Sequence, residues 1–266
     1  MTNIVLRSLS SIVIVVVIAG SSAFAATAMG PKQLWDKGAE YAANKLFIDA
    51  IANYTQAIQK NKGEISIEDV AKIFTSRGLA YLALNDGDKA IDDFGNALEL
   101  DERNQDALLH RGNVFLARKQ FDRALQDFSK VLDLNPGNAA AYTGRARTFV
   151  EAGNYDRAIV DLTKLLQFEP RNVAALYSLG VVYKRKRQDD RALETFDALL
   201  KIDERHAASS YQKAGIYARQ KKVDSACVWL DIAVADGYRD WETLKTDPDF
   251  DAFRKNSCYQ KVMAGR

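Results

Sequence analysis

The sequence predicts an all-α solenoid, a stack of repeated helical hairpins, on three observations. Ala90, Ala124, Ala158, Ala192 and Ala226 lie 34 residues apart. Tyr81, Phe115, Phe149, Tyr183 and Tyr217 keep the same step, nine residues ahead of each alanine. Inside a period the apolar residues recur at helical spacing, as in Leu108, Gly112 and Phe115. A fixed period of this length marks one supersecondary unit repeated along the chain.

Each period reads as two helices joined by a short polar turn. Gly78, Gly112, Ala146, Gly180 and Ala214 stand three residues before the aromatic. Small residues at this position let two helices approach closely. Phe94, Phe128, Leu162, Phe196 and Leu230 follow four residues after the spaced alanine and fill the space beside them. Arg118-Lys119-Gln120 and Ala152-Gly153-Asn154 read as turns. Asp88, Asp122, Asp156, Asp190 and Asp224 lie two residues before the alanine and are expected as N-caps of the second helices. Pro136 and Pro170 close two of the units.

This order of small residue, aromatic, alanine, large apolar residue and proline resembles the tetratricopeptide repeat. The resemblance covers roughly residues 31–236. It implies a right-handed α-solenoid of about six hairpins, with an array over 26–236. The repeats fall near 31–64, 71–104, 105–138, 139–172, 173–206 and 207–236. The first unit keeps the internal spacing through Gly38, Tyr41, Ala50, Tyr54 and Ala57, but its alanine lies 40 residues before Ala90. Six residues are therefore inserted near Asn61–Asp69, a polar stretch expected to form a longer loop.

A charge pattern follows the same ruler. Arg77, Arg111 and Arg145 precede Asp93, Asp127 and Asp161 by 16 residues each. In a helical hairpin these positions face each other, which predicts a repeated Arg–Asp pair. In the fifth unit both members change together, to Leu179 and Thr195.

The two ends differ from the array. Residues 1–25 read as a secretory signal peptide: Arg7, an apolar run from Ile12 to Ala19, and the small-x-small site Ala23-Phe24-Ala25. Cleavage is expected after Ala25, with Ala28 as the second choice. The rival reading is an uncleaved anchor, although the strongly apolar core is short for the ~20 residues of a span. The leader implies a periplasmic or secreted protein with no membrane span after cleavage. Such a compartment permits a disulfide between Cys227 and Cys258; two buried thiols are the alternative. Residues 237–266 break the period and read as capping helices, with Asp247-Pro248 as a helix start and Phe250, Phe253 and Tyr259 as an apolar face.

Composition excludes more than it assigns. Of 266 residues, 37 are basic and 35 acidic; loss of Arg7 with the leader leaves a net charge of +1. There is no polybasic stripe or nucleic-acid motif, so nucleic acid is not an expected partner. His110 and His206 stand in different repeats with no ligand-spaced Cys or carboxylate cluster, so no metal and no cofactor are expected. No Gly-x-Ser-x-Gly elbow or phosphate-cradling glycine loop occurs. An enzyme is not expected.

The tetratricopeptide resemblance implies a concave groove lined by the first helices, where a protein or peptide partner lies. Carried over by register, one groove row is Trp35, Thr75, Leu109, Thr143, Tyr177 and Tyr211. Asn113 and Arg147 stand in the next row, and Lys184, Arg185 and Arg219 near the helix ends. The cationic end suggests an acidic or carboxylate-bearing peptide. The Lys/Asn/Arg clamp of chaperone-binding relatives does not match: Asn113 fills one slot, but Leu109 and Gly144 stand at two others. The function expected is non-catalytic protein binding, as a periplasmic adaptor or scaffold. The alternatives are a self-associating structural scaffold and a regulator of a cell-envelope enzyme.

Overall fold

A computed structural model describes residues 29–265, which form fourteen α-helices and one short 3-10 helix, with no strand among the described residues. The signal-peptide reading of residues 1–25, with its cleavage at Ala25 or Ala28, lies outside them. In order, the helices are α1 (Pro31–Ala43), α2 (Phe47–Lys60), α3 (Ile67–Ala83), α4 (Gly87–Leu100), α5 (Gln105–Ala117), α6 (Phe121–Leu134) and α7 (Ala139–Glu151). There follow α8 (Tyr155–Phe168), α9 (Val173–Arg185), α10 (Asp189–Leu200), α11 (Ala207–Arg219) and α12 (Val223–Ala235). The tail holds α13 (Trp241–Thr246), the 3-10 turn Pro248–Phe250 and α14 (Ser257–Ala264).

The chain divides into two compact units, one ending at Val114 and the other starting at Phe115. The sequence suggests one elongated domain. In a repeat array each hairpin packs mainly on its neighbours in the chain.

The alanine ruler marks the helix contacts. Ala90, Ala124, Ala158, Ala192 and Ala226 are fully buried, as are Phe94, Phe128, Phe196 and Leu230. The glycines explain how close the helices lie. A Cβ on Gly78 would sit 2.7 Å from Phe94, one on Gly38 2.6 Å from Tyr54, and one on Gly180 2.5 Å from Phe196. In each pair the ring stands 16 residues beyond the glycine. Where alanine takes the slot, at Ala146, a nearby glycine does a related job. Gly144 receives Phe128 from the preceding helix α6, and a Cβ there would meet the ring at 2.5 Å.

Capping differs from expectation. Asp88, Asp122, Asp156, Asp190 and Asp224 are not N-caps; each lies inside the first turn of its helix. There they complement the helix dipole. The reason is the turn before them. Asn85, Lys119, Gly153, Arg187 and Lys221 take left-handed φ of 58–77°. The next residue, one of Asp86, Gln120, Asn154, Gln188 and Lys222, donates its N–H back to the carbonyl of the spaced aromatic at 2.7–3.0 Å. This closes the first helix and opens the second within three residues. Side-chain caps belong mostly to the first helices. Asn104, Asn138 and Asn172 each accept the backbone N–H three residues on, at 2.9–3.0 Å, and His206 accepts from Ser209 at 3.2 Å.

The six-residue insertion is shared between loop and helix. The connection 61–66 has two residues more than 101–104, and α3 has 17 residues where α5, α7, α9 and α11 have 13. Ser66 caps the lengthened helix, accepting from the Asp69 N–H at 3.1 Å.

Two of the expected Arg–Asp pairs, one in each compact unit, are present and bidentate. Arg77 donates to Asp93 at 2.8 and 2.7 Å, and Arg145 to Asp161 at 2.8 and 2.8 Å. Each arginine spends a third N–H on the preceding hairpin, on Thr55 (2.9 Å) or Ser129 (3.0 Å). Asp93, Asp127 and Asp161 are each only 3% exposed. In the fifth unit Leu179 is buried and Thr195 donates to its own helix, at the Arg191 carbonyl. The sixth unit rebuilds the site. Lys213 takes the arginine position, Trp229 the aspartate position, and Asp197 the position of Ser129. The Lys213 ammonium lies 3.4 Å from the Trp229 ring centroid and donates to Asp197. It is 3% exposed.

The tail packs on α11 and α12. Phe250, Leu244, Phe253 and Tyr259 form a core with Tyr211, Ala226 and Leu230. Cys227 and Cys258 are bonded at 2.01 Å across a separation of 31 residues.

Four outcomes are expected. Gly78→Ala should lower stability by ~1–3 kcal/mol because Phe94 is enclosed. Gly95→Ala, on α4 with open space around it, should raise it by ~0.5–1 kcal/mol. Urea unfolding of both variants checks this, and equal effects would sink the contact. Reduction, or Cys227→Ser with Cys258→Ser, should cost ~3–4 kcal/mol by loop entropy; an unchanged urea midpoint would contradict it. Burial lowers the Lys213 pKa, against the opposing pull of Asp197. The unfolded chain then holds this proton to higher pH than the folded chain, so stability grows as pH rises from the lowered value toward the unfolded ~10.4. Relative to Lys213→Met, the wild type should gain stability as pH rises through the alkaline range toward the unfolded value of ~10.4. Parallel pH profiles would refute this.

Candidate functional site

The period places one residue per hairpin on the same face of each first helix. In the second unit this assembles two neighbouring clefts from α7, α9, α11 and the tail.

The first cleft, about 180 Å³, lies between α7 and α9. Ala146, Val150, Leu162 and Val182 give it an apolar floor, with Val181 beside them. Its rim brings together four of the residues that the sequence singles out: Thr143, Arg147, Tyr177 and Arg185. Thr143, Arg147 and Arg185 are exposed and Tyr177 half-buried. Arg147 and Arg185 have no ion-pair partner among the described residues. The Tyr177 hydroxyl accepts from Gln212 Nε2 at 3.2 Å, and Gln212 Oε1 accepts from Lys184 Nζ at 2.7 Å. The Tyr177 ring leans on His206 at 5.3 Å and on Phe196 at 6.1 Å.

The second cleft, about 580 Å³, lies one hairpin further on. Here the tail itself covers the face. Tyr211 is not an open groove residue: it is 3% exposed. Its hydroxyl donates to Asp247 Oδ2 at 2.5 Å, and its ring stacks on Tyr238 at 4.2 Å. Burial, then donation to Asp247, pushes the Tyr211 phenol far above its ordinary range. Burial also raises the Tyr238 phenol to about 12. Lys184 and Arg219 are likewise engaged. Asp249 accepts from Lys184 Nζ at 2.7 Å and from Arg219 at 2.6 Å, and Arg219 also pairs with Asp189. Burial alone would raise the Asp249 carboxyl; Lys184 and Arg219 overcome this and hold it below the usual carboxylate range. The expectation that Lys184, Tyr211 and Arg219 receive a partner is therefore corrected. The last hairpin has no successor to cover its apolar face, and the tail does so.

The remaining predicted residues belong to the first unit. Thr75 is 6% exposed; its hydroxyl donates to the Ala71 carbonyl at 2.9 Å and accepts from Asn104 at 3.3 Å. It is a packing residue, not a surface one. Trp35 is half-buried, with Lys32 Nζ 4.3 Å from its ring centroid. Leu109 is half-buried and Asn113 exposed on α5.

Sequence reasoning missed the docking of Asp247 and Asp249 onto α9 and α11. The period could not reveal it, because the tail lies outside the period. Among the described residues no group of three or more His, Cys, Asp or Glu side chains could hold a metal ion, and no helix is long and apolar enough to cross a membrane.

Comparison with known proteins bears on the fold. Tetratricopeptide repeat models match residues 75–139 and 149–214. No curated protein sequence matches the chain. Among solved structures, YrrB, described as a TPR protein with an unusual peptide-binding site, is 23% identical; the match covers 72% of this chain and 96% of that one, with a TM-score of 0.58. PilF of Pseudomonas aeruginosa is 13% identical over 89% and 97% of the two chains, TM-score 0.62. MamA of Desulfovibrio magneticus RS-1, from residue 41 onwards, is 20% identical over 67% and 99%, TM-score 0.60. With these repeat matches following the 34-residue register, and solved neighbours of the same build, the chain belongs to the tetratricopeptide repeat family.

Proposed function

We propose that this protein is a non-catalytic binding module, an adaptor or scaffold that receives an extended peptide or helix on the first-helix face of α7 and α9. The observation that carries this is the cleft between those helices. It has an apolar floor, two exposed arginines on its rim, and no segment of the described chain within it. Apolar pockets edged by a few polar groups are the common form of a recognition site, and tyrosine and arginine are favoured at binding hot spots. The fold is one typical of interaction scaffolds, and YrrB is described as having a peptide-binding site. The preformed helices would limit the ordering cost of binding.

Export to the periplasm or beyond is part of the same proposal. It is supported by the leader-like residues 1–25 and by the Cys227–Cys258 bond, which suits an oxidising compartment.

The test is affinity capture from a cell-envelope extract with the wild type and an Arg147→Glu/Arg185→Glu variant. Both arginines are exposed, so the helical circular-dichroism signal should be unchanged. A partner held by the wild type should be reduced by roughly tenfold or more on the variant. Equal capture by both would refute the α7–α9 assignment. Recovery of the chain alone would favour the self-associating scaffold instead.

A further inference from the structure

The tail shows what a first-helix face of this protein accepts. Asp247 is held by Tyr211, and Asp249, two residues on, by Arg219. Phe250 then lies over Gly215, where a Cβ would meet its ring at 3.4 Å. A shift of one 34-residue period moves Tyr211, Gly215 and Arg219 onto Tyr177, Val181 and Arg185. Those three residues line the α7–α9 cleft.

The donors there are set for the same kind of ligand. Tyr177 accepts from Gln212, which leaves its own hydroxyl proton for an acceptor outside the chain. The Arg185 guanidinium is exposed without an ion-pair partner among the described residues, where Arg219 has two aspartates. Arg147, at the position equivalent to Val181 one period later, adds a second cation on the opposite wall. Lys184 has Val150 as its equivalent one period earlier, which makes this cleft more apolar than the one under the tail.

We infer that the α7–α9 cleft binds an acidic segment of a partner protein, with two carboxylates two residues apart held as Asp247 and Asp249 are held on α11, followed by a large apolar side chain that packs on the cleft floor beside Val181, whose side chain fills the space that Gly215 leaves for Phe250. This rests on the reading of the cleft as a peptide site and names the chemistry of its ligand. The tail of a second copy is not the occupant, because Phe250 is fully buried and Asp249 ion-paired within its own chain.

The probe is a fluorescently labelled hexapeptide, Thr-Asp-Pro-Asp-Phe-Asp, copying residues 246–251, titrated with the full chain and read by anisotropy. Saturable binding is expected, weaker at high salt. Arg185→Glu and Arg147→Glu should each weaken it by roughly tenfold or more, and Tyr177→Phe by about fivefold. Replacing both peptide aspartates that match Asp247 and Asp249 with asparagine should cost a further roughly tenfold. No saturable binding, or equal binding of the asparagine peptide, overturns the inference. Sensitivity to Arg185→Glu without sensitivity to Arg147→Glu puts the peptide over the tail site, and also overturns it. If envelope capture depends on Arg147 and Arg185 while the peptide fails to bind, the acidic chemistry is wrong and the peptide site stands. If capture is also insensitive, both readings fall.

Discussion

The close approach of a small residue and an aromatic ring is the constraint on which the hairpins depend. At Gly78 and Phe94, Gly38 and Tyr54, and Gly180 and Phe196, no Cβ fits between backbone and ring. Each ring is thereby pinned to one spot on the opposite helix, and this fixes both the separation and the register of the pair. The spaced alanines do the same from the other side, being fully buried on the second helices. A protein interior is packed too densely for such a contact to be merely tolerated. Everything on the first-helix face, including the α7–α9 cleft, inherits its spacing from these buried contacts.

The polar interior is built on that frame and enforces neighbour relations. An arginine that grips an aspartate of its own hairpin and a hydroxyl of the preceding one can be satisfied only when both helices are in place. Buried ion pairs give little net stability over apolar packing, but a half-satisfied one is costly. The pairs therefore favour one stacking register over its slips. The sixth unit supports this view. When Trp229 replaces the aspartate, the carboxylate reappears at Asp197 on the preceding hairpin, and the cation remains buried as Lys213. The charge balance is conserved while its geometry is turned around.

Much of this was readable in the residues, because repetition multiplies a weak local signal. The alanines, the aromatics and the Arg–Asp spacing of 16 each recur in register, so the hairpins and their internal pairs could be inferred without coordinates. The failures have two separate causes. The aspartates at 88, 122, 156, 190 and 224 look like caps by type, yet the left-handed residue at the end of each first helix advances the next helix start and leaves them inside its first turn. Asn104, Asn138 and Asn172 carried the true capping signal at the same period. Of the candidate site, Thr143, Arg147, Tyr177 and Arg185 were placed together. Thr75 and Tyr211 were not, because register gives the face of a residue and not what covers it.

That covering is itself informative about function. The tail is tied to α12 through Cys227 and Cys258 and to the first-helix face through Asp247 and Asp249, so the final hairpin is sealed by a covalent bond at one end and by charge at the other. A seal made only to hide apolar surface would need the aromatic residues alone. The carboxylates are there because the face beneath them carries a tyrosine and basic residues at fixed positions of the repeat, and burying Lys184 and Arg219 without anions would be costly. One period earlier Tyr177 and Arg185 occupy the corresponding positions at the edge of solvent, where water stabilises the cation and no anion has to be supplied. The difference between the sealed face and the open one is therefore what each is exposed to, and the open one keeps the donors that the tail satisfies on the other.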